Sequence, residues 1–328
     1  HDLGDLKNWL YRLPYKLLPY LPLARLLANL CQMYSPQLIW FDYRYWGQYV
    51  PIVQRFGSRT IMGTHNIQSK LSKQKLATLP RNSFYFKSLL HCHVEYLHER
   101  FLFKRFDRVV SVSEADRRYY TKIVGETKSK VIPNFINESW YNTTKAIMPK
   151  DNTVIVTGNF CAFQNVMGAQ WLLREIWPNV HKKVPDAHLK IVGCCAETII
   201  SYAERSEGIS CTGKVPSIVP YLRSATVAAV PLLHGSGTRI KILEALACGV
   251  PVVSTSLGAE GLKLTSGEDC IIADSPNEFA QAIIELFEAP AMRERLAQNG
   301  LKLLTEEYGW RVNAERVRHL VEETIVSS

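Results

Sequence analysis

Apolar residues along this chain gather in short runs rich in valine and isoleucine, separated by longer stretches of helical period. In the first half, QLIWFD (37–42), RTIMGT (59–64), DRVVSVS (107–113) and KVIPN (130–134) read as strands. In the second, the same reading applies to TVIVTG (153–158), HLKIVG (188–193), ISCTG (209–213), VAAVPLL (227–233), VPVVST (250–255) and CIIAD (270–274). Continuous apolar runs of this length suit strands covered on both faces of a parallel sheet. The stretches between them, notably 83–105 and 114–124, predict helices, and after Asp274 the pattern is helical to the end. Strands alternating with helices predict an α/β fold. The polar stretch 135–152 is the expected boundary, giving domains 1–145 and 146–328, each long enough for its own core. Two such sheets joined by one linker would face each other across a cleft at their strand ends, where α/β ligands bind.

The most informative stretch is 226–260, a buried strand, a glycine-bearing loop, a helix opening on cations, and another buried strand. Gly235 and Gly237 flank Ser236 in the loop, Thr238 is placed to cap the helix, and Gly249 and Pro251 end it. Such a loop aims backbone N–H groups and the positive end of a helix dipole at one point, beside Arg239 and Lys241. That combination suits a phosphate. Glu244 lies five residues after Arg239, roughly 7–8 Å further along the helix, and three after Lys241, on the same face. A diphosphate at the helix start and a ribose deeper in would fit this spacing. Glycine loops of this kind also serve many unrelated α/β sites, with their cations simply solvated. Gly158, Gly193 and Gly213 also end strands of this domain, letting a ligand approach the backbone at several points. Gly213, Lys214 and Val215 are where main-chain groups are expected to recognise a base.

Composition narrows the partners. The 328 residues are 47% hydrophobic and 21% charged, as in soluble globular proteins, and no run approaches the ~18 apolar residues of a membrane span. Residues 1–145 carry 22 Lys and Arg against 10 Asp and Glu (+12), whereas 146–328 carry 17 against 20 (−3), together the net +9. A basic first half implies an anionic partner. The opening WLYRLPYKLLPYLPLARLLANL interleaves Arg12, Lys16 and Arg25 with aromatic residues and leucines. It reads as a peripheral element for an anionic membrane surface, or as amphipathic helices broken by Pro14, Pro19 and Pro22 and packed on the domain. The charge excess is spread along the chain without a nucleic-acid motif, so nucleic acid is not an expected partner. The start is neither a signal nor a transit peptide. The eight cysteines are scattered, with Cys194-Cys195 the only close pair in sequence and no C-x-x-C spacing. Neither a zinc site nor a disulfide scaffold is expected, and a reducing cytoplasm fits.

The run GNFCAFQNVMGAQWLLREIWPNVHKKVPDAHLKIVG (158–193), the stretch from ISCTGKVP to SLGAEGL, CIIADSPNEFAQAI and YGWRVNAERV together resemble the group-1 glycosyltransferases of family four. IMGTHNIQSK, EYLHERFLFKRFDRVVSVSEADRR and VIPNFI extend the resemblance through the first half. It implies a GT-B architecture of two Rossmann-like domains. It also implies transfer of a hexose-type sugar from a nucleotide sugar (UDP- or GDP-linked) to a saccharide or lipid-linked acceptor, as in polysaccharide or glycoconjugate biosynthesis. Members are mostly retaining and work without a metal or other cofactor. Glu244 matches the glutamate that holds the donor ribose. Ser236 stands where many members carry a first glutamate near the donor sugar. Asn159 and Gln164 stand where an Arg and a Lys usually neutralise the diphosphate, leaving that task to Arg239 and Lys241. His65 matches a histidine at the cleft edge that contacts the transferred sugar. His91, His93 and His98 have no such match, His234 is kept only as a neighbour of the loop, and Glu95 and Glu99 read as a solvated helix face. The strand, glycine-rich loop and αβ units with which the family's first domain opens have no counterpart ahead of QLIWFD, so a shortened first domain is expected, either because the sequence is a fragment or because its acceptor domain is reduced. Two other readings stay open: a catalytically reduced relative acting as a binding partner, and a nucleotide-sugar epimerase.

Overall fold

The computed structural model describes residues 18–42, 45–77, 79, 81, 83–141, 151–194, 199, 207–235 and 238–326. The part of the opening segment before residue 18, with Arg12 and Lys16, lies outside the described residues, as do Ser236 and Gly237. The chain divides into two units, one made of the chain up to Pro133 and from Glu315 onward, the other of Asn134–Ala314. This differs from the expected break after residue 145 in two respects. The polar residues after Pro133 already belong to the second unit, because Ile136 N–H donates to the Tyr308 carbonyl (3.1 Å) and Glu138 accepts from Trp310 N–H (3.1 Å). The end of the chain belongs to the first unit, where Glu323 pairs with Lys130 at 2.8 Å and Arg108 at 3.5 Å.

The first unit contains α1 (Leu21–Tyr34), β1 (Leu38–Asp42), α2 (Val50–Gln54), β2 (Arg59–Gly63), α3 (Gln68–Ala77), α4 (Ser83–Leu97), β3 (Arg108–Ser111), α5 (Glu114–Val124) and β4 (Ser129–Val131). Its strands pair in parallel in the order β1-β2-β3-β4. Phe41, Met62 and Val109 project from the sheet into a core with Val53, Phe106 and Tyr120. Pro22 does not break α1; it sits in the first turn, where its missing N–H costs no helical hydrogen bond. Of α1 only Cys31 is buried, and Leu21, Leu26, Leu30 and Met33 are exposed. The helix predicted over 114–124 is α5, capped by the Ser113 hydroxyl accepting from Asp116 N–H and ended at Gly125.

The second unit contains β5 (Thr153–Thr157), α6 (Phe163–Trp171), α7 (Trp177–Lys183), β6 (His188–Val192), β7 (Ile209–Cys211), α8 (Val219–Arg223), β8 (Val227–Val230), α9 (Ile240–Ala247), β9 (Val252–Ser254), β10 (Ile271–Ile272), α10 (Pro276–Glu288) and α11 (Pro290–Leu303). The last helix, α12 (Trp310–Val326), begins here and supplies the first unit from Glu315. All pairings are parallel, in the order β10-β9-β8-β5-β6-β7. Alternate side chains feed two cores: Val154 and Val156 meet Leu172, Trp177 and Phe279, whereas Ile155 meets Ile242, Leu246 and Tyr308. Burial on both faces is why these strands read as unbroken apolar runs. The strand order reverses between β5 and β8, the position at which loops leaving such strands diverge to form a crevice at their carboxyl ends in open α/β sheets.

Candidate functional site

Three of the predicted glycines come together beside that crevice. Gly158 follows β5, and its N–H donates to the Val192 carbonyl at 3.1 Å; Gly193 follows β6 and donates to the Gly213 carbonyl at 3.1 Å. Gly193 holds φ +137°, and a Cβ there would run into the Gly158 carbonyl, so the two strand ends approach as only glycine allows. Gly213, at φ +70°, turns the chain after β7; Lys214 beyond it is exposed and Val215 half-buried.

Across the crevice, the loop after β8 brings in the cations. Gly235 has φ +135° and the Arg239 guanidinium lies against it, in the space a Cβ would fill. Thr238 does not cap the helix. Its buried hydroxyl accepts from Asn134 Nδ2 at 2.7 Å, and α9 begins at Ile240, so the N-cap position falls to Arg239. The helix ends as expected, with Gly249 left-handed at φ +69° and the Gly249 and Val250 N–H groups turned back to Leu246 and Ala245. His234 stacks at a tilt on Phe163, ring centres 5.3 Å apart.

Lys241, second residue of α9, reaches back under β5. Its ammonium donates to Asn165 Oδ1 at 2.9 Å, and Asn165 Nδ2 donates to the Asn159 carbonyl at 2.8 Å. A Cβ on Gly158 would lie 3.1 Å from that ammonium. Desolvation, then the charge of Arg239, pull the Lys241 pKa down to about 8, against a smaller opposing effect of Glu244. Two cations are therefore held where water screens them poorly, an arrangement that an anion would relieve. Glu244, one turn deeper, accepts from the Tyr141 hydroxyl at 3.1 Å. Desolvation raises its pKa, while Tyr141 and Lys241 oppose the rise. Tyr141 is pushed up to about 12 by burial and by the neighbouring carboxylate. Arg223 donates to the Tyr141 carbonyl and anchors that residue. Asn165 and Tyr141 were both missed in the sequence. Asn165 sits one residue past the expected Gln164, and Tyr141 lies in the stretch read as a linker.

In the first unit, His65 follows β2, is exposed, and meets Asp42 Oδ1 at 2.9 Å, the carboxylate at the end of the neighbouring strand. Glu95 and Glu99 are not a solvated face: they are 1% and 2% exposed. A π-helical turn, His98–Leu102, extends α4. Glu99 accepts from the Gln68 N–H (2.7 Å), the Ser69 N–H (3.3 Å), the Ser69 hydroxyl and the hydroxyls of Tyr119 (3.0 Å) and Tyr120 (3.4 Å). It thus satisfies the opening amides of α3, directly after His65 and Asn66. Tyr120 also donates to the Asn66 carbonyl at 3.3 Å. Burial raises the Glu99 pKa against the pull of these donors. Glu95 accepts from Tyr45 and pairs with His91 at 3.1 Å. Gly63, His65, Asn66, Glu95 and Glu99 border a cavity of about 70 Å³. Among the described residues no cluster of three His, Cys, Asp or Glu has metal-binding geometry, and no helix is long and apolar enough to cross a membrane.

A model of the group 1 glycosyl transferases matches residues 151–289, and a model of glycosyltransferase family 4 matches residues 2–140. A phosphatidyl-myo-inositol mannosyltransferase of Mycobacterium leprae is 27% identical over 228 residues, 67% of this chain and 59% of the relative. A 44.6 kDa protein of the cps region of Klebsiella pneumoniae is 28% identical over 164 residues, 47% of this chain and 42% of the relative. The chain thus spans about half the length of these relatives. In fold it is similar to sucrose-phosphate synthase of Thermosynechococcus elongatus (TM-score 0.71, 18% identity, 96% of this chain and 80% of that one). It is equally similar to Anabaena HepE in complex with UDP (TM-score 0.70, 15% identity, 92% of this chain and 82% of that one).

Proposed function

This chain belongs to the group-1 glycosyltransferases, with a first half of family 4 and the GT-B type of α/β fold, and from that premise we propose its reaction. The protein transfers a sugar from a nucleotide diphosphate sugar to a saccharide or lipid-linked acceptor, with retention of configuration. The observation that carries this reading is the strand-order reversal between β5 and β8, where Lys241, tied to Asn165 and close to Gly158, and Arg239, packed on Gly235, stand together with Glu244 one turn deeper. The diphosphate of UDP or GDP sits at the cations, the ribose hydroxyls at Glu244, and the base at the main chain of Gly213, Lys214 and Val215. HepE was solved with UDP, which supports a nucleoside diphosphate as the ligand class.

As the sugar–phosphate bond breaks, negative charge grows on the departing diphosphate. Arg239, Lys241 and the opening amides of α9 are fixed in advance to stabilise it. These groups do so without calling on a metal or other cofactor. The acceptor hydroxyl attacks the same face and gives its proton to the leaving phosphate, so no protein nucleophile is needed. His65, held by Asp42 at 2.9 Å, is the first unit's proposed contact for a sugar. The exposed leucines of α1 beside Arg25 support peripheral attachment to an anionic membrane, where a lipid-linked acceptor would be met.

Turnover measured with UDP-, GDP- and ADP-sugars tests the reading. Transfer or slow donor hydrolysis that disappears in Glu244→Ala and Lys241→Ala is expected. Tight nucleotide binding without turnover would instead mark a non-catalytic binder, and interconversion of the free donor an epimerase.

A further inference from the structure

Exposure divides the cysteines of this chain. Cys31 and Cys270 are buried, Cys92, Cys211 and Cys248 half-buried, and among the described residues Cys161 and Cys194 are the exposed ones. These two are 33 residues apart in sequence, yet their sulfurs lie 3.8 Å apart. The sequence suggested a different neighbour for Cys194, the adjacent Cys195, which lies outside the described residues. Cys161 stands on the loop after β5 and Cys194 on the loop after β6. The backbone holds them in place: Phe160 N–H donates to the Cys194 carbonyl at 2.8 Å, and Cys161 N–H donates to Asn159 Oδ1 at 3.0 Å. A disulfide needs the sulfurs at about 2.05 Å, a closure of less than ~2 Å between two exposed side chains. The hydrogen bond with Cys194 raises the Cys161 thiol pKa, which suits Cys161 to be the second thiol to react.

We propose that Cys161 and Cys194 are a site of reversible disulfide formation that fastens the β5 and β6 loops together and weakens the nucleotide site beside them. The effect on nucleotide rests on the donor-site reading above; the disulfide itself does not. The oxidant is a peroxide. The Cys194 thiolate attacks the O–O bond, its sulfur takes one oxygen as a sulfenic acid, and the other oxygen leaves as water after protonation. The Cys161 sulfur then displaces the sulfenic oxygen as a second water, and the S–S bond forms. Two thiols lose two protons and two electrons, and the peroxide gains both as two molecules of water. A thiol reductant reverses the bond.

The coupling to the nucleotide site is mechanical. Cys161 belongs to the tight turn in which Ala162 N–H donates to the Asn159 carbonyl at 3.1 Å. That same carbonyl holds Asn165, which holds the Lys241 ammonium. Strand β6 lies on the opposite side of β5 from β8 and the loop that leads to α9. Drawing Cys161 toward Cys194 therefore moves the turn away from Lys241. By linkage, nucleotide must also oppose oxidation by the factor by which oxidation weakens nucleotide.

The full chain, treated with hydrogen peroxide, alkylated and digested, is examined by peptide mass spectrometry, with UDP affinity measured before oxidation, after it, and after dithiothreitol. The expected result is a peptide joined through Cys161 and Cys194, a several-fold loss of UDP affinity restored by reductant, and slower oxidation in saturating UDP. Cys161→Ser should bind UDP like the reduced protein and keep that affinity after peroxide, with Cys194 oxidised but not cross-linked to residue 161. A cross-link through Cys195, no cross-link at all, or a mapped Cys161–Cys194 bond with unchanged UDP affinity would each overturn the proposal. Reduced protein that fails to bind any nucleotide would remove the donor-site reading and the coupling with it, while the mapped bond would still decide the disulfide.

Discussion

Replacing Lys241 by methionine keeps most of the side-chain volume and removes the charge, and the structure assigns opposite signs to its two effects. The folded protein holds this amine at a pKa of about 8, against an ordinary 10.5. At pH 7 both folded and unfolded chains carry the proton, so the folded state bears the whole cost of confining the charge, up to about 3 kcal/mol. Between about 8 and 10.5 only the unfolded chain keeps the proton, and stability climbs with pH across that window. Methionine removes the cost but also the 2.9 Å charge-assisted hydrogen bond to Asn165, worth about 1.5–3 kcal/mol. The ligand-free variant should therefore be as stable as wild type at pH 7 or more stable by up to about 1.5 kcal/mol, seen as an unchanged or modestly raised melting temperature. UDP affinity should move the other way. A charge-assisted bond to phosphate is worth roughly 1.5–3 kcal/mol, or about 10- to 150-fold in affinity. Calorimetric titration from pH 6.5 to 9.5 should show wild-type affinity falling above about pH 8, as the unbound ammonium gives up its proton, and no such fall in the variant. Unchanged UDP affinity in Lys241→Met would refute the diphosphate assignment. A ligand-free variant less stable than wild type at pH 7 would refute the account of the strained charge.

Glu244→Ala should weaken UDP at least tenfold while leaving inorganic pyrophosphate affinity within about twofold, since the carboxylate is assigned to the ribose; equal losses for both ligands would move it to the phosphates. Glu99 has a raised folded pKa, so its burial favours the protonated form, and the first unit should lose stability as pH rises from the ordinary carboxylate range through the raised value. Glu99→Gln should flatten that slope in denaturant titrations between pH 4 and 8 (roughly the window set by the carboxyl range), and an unaltered slope would place its origin elsewhere. Gly193→Ala forces a side chain into the left-handed region and against the Gly158 carbonyl, and should cost several kcal/mol or prevent folding of the second unit. Chemical denaturation reads this directly, and a variant of near wild-type stability would show that the strand ends are not held so closely.

Every strand expected from the apolar runs is present, because buried parallel strands advertise themselves by continuous valine and isoleucine. Their ends fall one to three residues short where a turn takes over, as at Pro231 after β8. Arg239, Lys241 and Glu244 were legible because a strand, a glycine loop and a helix fix their spacing. Asn165 and Tyr141 were not, since their partners lie 76 and 103 residues away in sequence. Thr238 was misassigned for the same reason: a distant Asn134 engages the hydroxyl that local rules give to the helix end. Glu95 and Glu99 followed a charged helix pattern that ordinarily faces water, and the groups that cover them, Tyr45 on one and Gln68, Tyr119 and Tyr120 on the other, come from distant segments. The expected chain division differs from the observed one because FINESWY was grouped with the polar residues that follow it, yet is tied by backbone contacts to residues near 309.

The ion pair between Lys130 and Glu323 joins residues 193 positions apart, both in the first unit. Translation therefore completes the second unit, residues 134–314, before the ribosome has made the segment that finishes the other one. The four-stranded sheet must wait, with its closing contacts unmade, through the synthesis of an entire neighbour. At ~5–20 residues per second that wait is on the order of ten seconds or more, long enough for chaperones to act on the earlier-made half and for its slow-forming parallel pairs to set the pace of folding.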